Sequence, residues 1–473
     1  MDGPNGIDDS VLASALYDAV MQGGKSTALQ TDHINITYAE LAEKIKSRYE
    51  DLKQEDVQRM AVYAHNSVNF CIDLLTALVY FECVFIFPTS WKLEKVKEIC
   101  ISNRIDLIIS DEAEIWIDAD KNKNPQDELK DVKAVLFTSG TVHNPKGVML
   151  TGENLYTNAI AAIDCLKYTA DDTLLVTKPL YHSYGLTIEF ISGILAGAAL
   201  YIYESMFSPG KVRKLFAEQN ITVWCTIPTL LAFFINNMRQ YCGNLRVIAV
   251  GGEKAGRPLL IRAKEVFGAV PVIQLYGLTE AGPLVTSSSF DAVNIESIGQ
   301  PVLGVELELR DKEDNIISEP GISGELVISS KSIMKGYLGD IQKTNKVIRD
   351  GKLYTGDIAY FDSANNYYFV EREDMTISRH GINVYCSEIE ESISEIEGVE
   401  RVIVLGISHP VCSQIAAAFV KRTGDTDEKA IIQHCLDHEV AVPDKIIFID
   451  NFPVNENGKV SLAALRKIYE DTP

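Results

Sequence analysis

The stretch LFTSGTVHNPKGVMLT, Leu136 to Thr151, passes from an apolar run into hydroxyls, a glycine and a lysine, and back into a second apolar run. Thr138, Ser139 and Thr141 offer hydroxyl donors, Gly140 lets backbone N–H groups approach a ligand, and Lys146 supplies a point charge. That set suits a phosphate chain. It is not a Walker A loop, because Pro145 precedes the lysine and Gly147 follows it. Read alone, its plainer alternative is a Ser/Thr/Gly turn followed by a surface lysine.

The flanking sequence places this loop in a fold. The runs KAVLF (Lys133–Phe137), LRVIAV (Leu245–Val250) and VPVIQLY (Val270–Tyr276) are apolar and β-rich, and each leads into a Gly/Ser/Thr-rich turn. Between such runs lie helical patterns, for example YAELAEKIKSRYEDL (Tyr38–Leu52), with Thr37 as its N-cap. The alternation predicts an α/β fold with layered, mainly parallel sheets, and ligands off the carboxyl ends of strands. From about residue 297 the pattern becomes hairpin-like, in VELELRDKEDNIISEPGISGELVIS and YTGDIAYFDSANNYYFVERED, and predicts a small β-barrel-like unit. SEIEESISEIEGVERVIVLGI (Ser387–Ile407) reads helix, turn, strand and opens a small α+β unit. The expected division is a large N-terminal domain over 1–372 and a C-terminal lid over 375–473, with a hinge near Asp374.

Composition narrows the function classes. The chain of 473 residues exceeds one ordinary core. A formal charge of −22 and the absence of a basic run disfavour nucleic acid, so a polyanionic ligand must be held by local devices. Nine cysteines without a C-x-x-C pair read as reduced thiols in a cytoplasmic protein. The start, MDGPNGIDDS, is too polar and acidic for a signal peptide. The longest apolar run, Phe190–Tyr203, falls short of the ~20 residues of a membrane helix. It reads as a buried helix leading into a strand, and no membrane span is expected.

Further segments follow in order: GGEK (Gly251–Lys254), YGLTEAG (Tyr276–Gly282), YTGD (Tyr354–Asp357), ERED with GINVYCSEIE, and NENGKVSLAALRK. With the first loop, their order and spacing over nearly the whole chain resemble the ANL superfamily of acyl- and aryl-CoA synthetases, adenylation domains and luciferases. The resemblance implies a ligase of two steps. A carboxylate attacks the α-phosphate of Mg·ATP to give an acyl-adenylate and pyrophosphate, and a thiol then takes the acyl group. It implies roles residue by residue. Thr138, Ser139, Gly140, Thr141 and Lys146 would cradle the β,γ-phosphates. Tyr276, beside Gly277, would stack on adenine, Thr279 would bind the α-phosphate, and Glu280 would hold Mg²⁺. Gly251, Gly252 and Glu253 would line the adenine and acyl pocket. Asp357 would accept the ribose hydroxyls and Arg372 would reach ribose or phosphate. Lys459 would neutralise charge during adenylation, and Gly381 would line the thiol's path. Singly, each has a plainer reading: Asp357 as a turn residue, Glu280 as a helix cap, Arg372 with Asp374 as a surface ion pair, Lys459 as a surface lysine.

The chain departs from the family pattern at defined positions. Val142 replaces a hydroxyl and His143 a glycine in the first loop; loss of one charge-assisted hydrogen bond costs roughly 1.5–3 kcal/mol. Gly152 stands where many relatives have histidine, Glu371 where glycine precedes the arginine, Ser378 where lysine is common, and Val454 where threonine is usual. In PLYHSYGL (Pro179–Leu186), His182 is the residue expected near the substrate carboxylate. No aspartate is present there for an α-ammonium group, and Glu189 is expected on the following helix, so an acyl or aryl acid is favoured over an amino acid. WCTIPTLLAFF (Trp224–Phe234) offers apolar walls. No phosphopantetheine attachment motif occurs, so the acceptor is CoA or the phosphopantetheine of a separate acyl carrier protein. Residues 375–473 hold 9 Lys/Arg against 16 Asp/Glu, which offers no obvious dock for an acidic carrier. The altered loop keeps open a third role, a partner protein of this fold with reduced or lost adenylation.

Overall fold

The computed structural model describes residues 10–472 except 118–126, 139–145, 206, 237, 239, 242, 291–294, 373–376, 380–381, 410–412, 425, 439 and 455–459. The chain forms two compact units, one of 1–308, 327–354 and 365–367, the other of 309–326, 355–364 and 368–473. The strands Val305–Arg310, Gly324–Ser330 and Lys352–Phe361 belong to a five-stranded sheet, the β-rich element expected after residue 297. The class is as the sequence predicts: mixed α/β, with a large N-terminal and a small C-terminal domain.

The large unit is built on two sheets. One has nine strands, and its central strands Thr173–Val176, Val223–Thr226, Val247–Val250 and Val272–Gly277 run parallel. The other has seven, with Arg59–Tyr63, Cys83–Ile86, Leu107–Ser110 and Val132–Thr138 parallel at its centre. A single apolar core joins one face of each sheet through helices Val11–Gln22, Tyr38–Gln54, Val68–Tyr80 and Gly152–Leu166. In the helix Val68–Tyr80 every residue but Asn69 is buried and VNFCIDLLTALVY is mostly apolar, as suits a helix between layers. Its one carboxylate, Asp73, is paired with Arg48 at 2.7 Å. The helix Tyr38–Gln54 starts where expected. Thr37 Oγ1 accepts from the Glu40 N–H at 3.2 Å and Glu40 Oε2 accepts from the Thr37 N–H at 2.8 Å, a reciprocal cap. The apolar run Phe190–Tyr203 resolves into buried helical turns up to Leu195 and the strand Ala199–Ile202. Among the described residues, no helix is long and apolar enough to cross a membrane. The seven described cysteines are free thiols, six of them buried.

The small unit carries a three-stranded sheet of Val399–His409, Ser413–Arg422 and Lys445–Phe448. Side chains alternate across the second strand. Ala416, Ala418 and Val420 meet Ile389 and Ile393 of helix Cys386–Ser394 and Ile431 and Cys435 of helix Glu428–Asp437. Ala417 and Phe419 meet Leu465 of helix Leu462–Asp471 on the opposite face.

Candidate active site

In the large unit the first motif is a hairpin. Val132–Thr138 pairs antiparallel with Lys146–Thr151, and the register sets Thr138 opposite Lys146. Ser139, Gly140, Thr141, Val142 and His143 lie outside the described residues. Lys146 Nζ stands 5.1 Å over the ring of Tyr337. The Tyr337 hydroxyl donates to Glu280 Oε1 at 2.8 Å. One residue away, Thr279 Oγ1 lies 3.0 Å from Ser183 Oγ, in the PLYHSYGL segment. Three motifs far apart in sequence thus meet through Tyr337 and Ser183, two residues that the motif reading did not single out. Tyr337 carries no periodic or charge signal in SIMKGYLG, and only the pairing of Gly336–Tyr337 with Val148–Met149 brings it here.

Local constraints hold the YGLTEAG turn. A Cβ at Gly277 would lie 2.0 Å from the Pro283 carbonyl oxygen, so only glycine lets strand Val272–Gly277 fold back this tightly. The Leu278 N–H donates to Pro283 O at 3.0 Å, and Glu280 O accepts from the Met334 N–H at 2.8 Å. These bonds fix the helical turn Thr279–Ala281 that presents Thr279 and Glu280. Tyr276 is half-buried at the end of the same strand, opposite Thr286. The GGEK loop is its neighbour: a Cβ at Gly251 would stand 2.9 Å from Leu275 O, and Gly252 has φ +84°. Glu253 Oε2 accepts from Thr229 Oγ1 at 3.0 Å, tying that loop to helix Pro228–Ile235 of the expected apolar wall. His182 is half-buried, its ring 4.5 Å from that of Tyr181 and its backbone N–H donating to Pro179 O at 3.1 Å.

Behind His182 and Ser183 lies a buried ionic group. Tyr184–Ile191 winds as a wide π-helical turn, a form common beside functional sites. It carries Glu189, on the helical segment expected, but 1% exposed and 3.5 Å from Lys178 Nζ. Lys178 Nζ also sits 3.5 Å over the Tyr184 ring, and the Tyr184 hydroxyl donates to Ala249 O at 3.2 Å. Burial outweighs the attraction of Lys178 and pushes the Glu189 carboxyl up to about 8, while the same burial lowers the Lys178 ammonium. Nothing in the sequence marks these two residues as partners.

In the small unit Asp357 is 4% exposed and lies 3.0 Å from Arg372 Nη1. The turn before it is held by the Thr355 hydroxyl. Thr355 Oγ1 accepts from the Asp357 N–H at 3.0 Å and donates to Leu326 O at 2.7 Å, and Gly356 takes φ +68°. Arg372 therefore pairs with Asp357, across strands, and keeps half its side chain exposed. Gly381, Asp374 and Lys459 lie outside the described residues; Val454 and Val460, which bracket the last of these, form a bridge.

Two of the departures from the family pattern have local reasons. At Gly152, the first residue of its helix, a Cβ would stand 2.7 Å from Ser10 Cβ, so a larger residue would displace the cap of helix Val11–Gln22. Buried Glu371 accepts the Ser387 N–H at 3.2 Å at the start of helix Cys386–Ser394, where the helix dipole favours a carboxylate.

Comparison with known proteins bears on the family and the fold. The AMP-binding enzyme family matches residues 16–338, and the AMP-binding enzyme C-terminal domain matches residues 388–459. A 2-succinylbenzoate–CoA ligase of Bacillus cereus is 27% identical over 94% of this chain and 96% of its own length. Two solved structures share the fold. ATP-bound MatB from Rhodopseudomonas palustris superposes with a TM-score of 0.86 at 23% identity, covering 97% of this chain and 99% of that one. The o-succinylbenzoate CoA synthetase MenE from Bacillus subtilis, in complex with the acyl-adenylate intermediate OSB-AMP, gives 0.84 at 22% identity over 97% and 98%. The chain belongs to the AMP-binding enzymes of the ANL superfamily.

Proposed function

We propose that this protein is an ATP-dependent, AMP-forming ligase that joins an aryl or acyl carboxylic acid to CoA, with an aryl acid of the succinylbenzoate type as the first substrate to test. The observation that carries the reading is the convergence of Lys146, Tyr337, Glu280, Thr279 and Ser183, which sets a cation, a carboxylate and hydroxyls around one place. The curated relative that spans almost the whole chain supports the aryl acid.

In the first step a carboxylate oxygen of the acid bonds to the α-phosphorus of ATP and pyrophosphate leaves. Such a reaction asks mainly for positioning and charge neutralisation. Lys146 and Thr138 face the leaving pyrophosphate, with Ser139, Gly140 and Thr141 between them in the chain. Thr279 donates its hydroxyl to the α-phosphate, and Ser183 orients that hydroxyl. Glu280, its carboxylate oriented by the Tyr337 hydroxyl at Oε1, would hold Mg²⁺, a hard cation that would offset phosphate charge. His182 stands by the acid, and Lys459 neutralises charge as the adenylate forms. Tyr276 stacks on adenine beside Gly251, Gly252, Glu253 and Gly277. Asp357, oriented by Arg372, accepts the ribose hydroxyls. In the second step the CoA sulfur bonds to the acyl carbon and AMP leaves, with Gly381 on the thiol's path and the C-terminal unit turning about a hinge near Asp374. The free cysteine thiols support a cytoplasmic setting, where reduced thiols persist.

Pyrophosphate release with a panel of aryl and acyl acids, with CoA, with a carrier protein, or with neither, tests the reading. Acid-dependent release and CoA thioester formation support it. Release with transfer only to a carrier protein would move the acceptor, and no release with any acid would favour a partner protein with a worn phosphate loop, the role that Val142 and His143 suggest.

A further inference from the structure

In the small unit, three side chains with metal-ligating atoms, none of them assigned a role above, meet at the ends of two helices. Glu395 is the residue that ends helix Cys386–Ser394, and His438 ends helix Glu428–Asp437, with His434 one turn before it. One ligand atom from each lies within 4.8 Å of the others. We infer that Glu395, His434 and His438 form a binding site for a divalent late first-row transition ion, Zn²⁺ first, that clips these two helices together.

Four observations point the same way. The spacing of His434 and His438 puts both imidazoles on one helix face, their rings stacked at 4.0 Å. His438 Nδ1 lies 2.9 Å from His434 O, and a carbonyl can only accept, so Nδ1 carries the proton and Nε2 presents a lone pair. A histidine ligand is usually oriented by such a bond from its other nitrogen. His434 Nε2 is buried and finds no hydrogen-bond partner among the described residues, an orphaned polar atom that an ion would satisfy. Both helices point their carboxyl ends at the site, and those ends favour positive charge.

The donors select the ion. Two imidazoles and one carboxylate suit Zn²⁺, Co²⁺ or Ni²⁺ better than Mg²⁺ or Ca²⁺, which prefer oxygen alone. Ligand atoms around a tetrahedral Zn²⁺ stand about 3.3 Å apart, so the three must close by no more than about 1.5 Å, within reach of side-chain rotation. His434 and its neighbour Cys435 divide the work of the helix: Cys435 is buried in the core with Ile431, and its thiol is raised by that burial.

The test uses the full-length chain without a histidine tag, stripped of metal. Zn²⁺ titration by calorimetry should show one ion per chain, added Zn²⁺ should raise the melting temperature, and Co²⁺ should give a tetrahedral absorption band. Changes in groups around a metal already cost about 10–100-fold in affinity, so His438→Ala should weaken binding by at least about tenfold, and Glu395→Gln should also weaken it. His65→Ala, at an exposed histidine paired with Asp111, should leave binding unchanged. His434 is partly packed and its alanine variant risks misfolding, so the two exposed positions decide. Absence of binding tighter than about 1 mM, or binding that survives His438→Ala unchanged, overturns the proposal.

Discussion

Tyr337→Phe isolates one bond of the proposed active site. The ring stays, so Lys146 keeps the aromatic face 5.1 Å beneath it, and only the hydroxyl that donates to Glu280 Oε1 at 2.8 Å is lost. A hydrogen bond to a charged group contributes roughly 1.5–3 kcal/mol. Tyr337 is buried but Glu280 is half-exposed, so the lower end applies. If Tyr337 positions Glu280 for adenylation, the rate of acid-dependent pyrophosphate release should fall about tenfold, since ~1.4 kcal/mol of barrier is one decade. Tyr337→Leu also removes the cation–π contact, about 0.5–1 kcal/mol, for a further two- to fivefold loss. The assay is pyrophosphate release at saturating and limiting ATP, with melting temperature as a check on folding. Glu280→Gln is the reference. A Tyr337→Phe enzyme within twofold of wild type beside a crippled Glu280→Gln would refute the positioning role, and equal loss of pyrophosphate release and of thioester formation from supplied acyl-adenylate would show a general structural role instead.

Because folding raises the Glu189 carboxyl from 4.5 to about 8, its contribution to stability is full below 4.5 and is lost as pH rises through about 8; urea unfolding should show wild type losing stability relative to Glu189→Gln across that window, and a flat or reversed difference would contradict the burial argument. Gly152→His should drive a side chain into Ser10 and lower stability by about 1–3 kcal/mol in chemical denaturation, with little change if the N-terminal helix can shift at no cost. Val142→Thr with His143→Gly should raise the adenylation rate about ten- to a hundredfold through one regained hydrogen bond; a slower double variant would mean that His143 itself binds phosphate. Lys459→Ala should abolish adenylate formation while sparing thioester formation from supplied acyl-adenylate, and equal loss in both half-reactions would mean a structural lysine.

The sequence by itself determined what short-range physics controls. Alternating apolar strands and helical patterns predicted the layered α/β class. Thr37 marked a helix start that the structure keeps, and the run Phe190–Tyr203 was legible as a buried helix turning into a strand. The order of the motifs was enough to indicate the superfamily. What only the tertiary structure decided are encounters between residues distant along the chain. Tyr337 links Lys146 to Glu280 because sheet pairing delivers it. Lys178 faces Glu189 because a π-helical turn swings the carboxylate inward. Arg372 meets Asp357, and Ser10 occupies the space that a side chain at position 152 would need. Periodicity and capping act within a turn or two of chain and leave their mark in composition. Which side chains meet across layers depends on strand register and on close packing of the whole core, to which no single local segment holds the key.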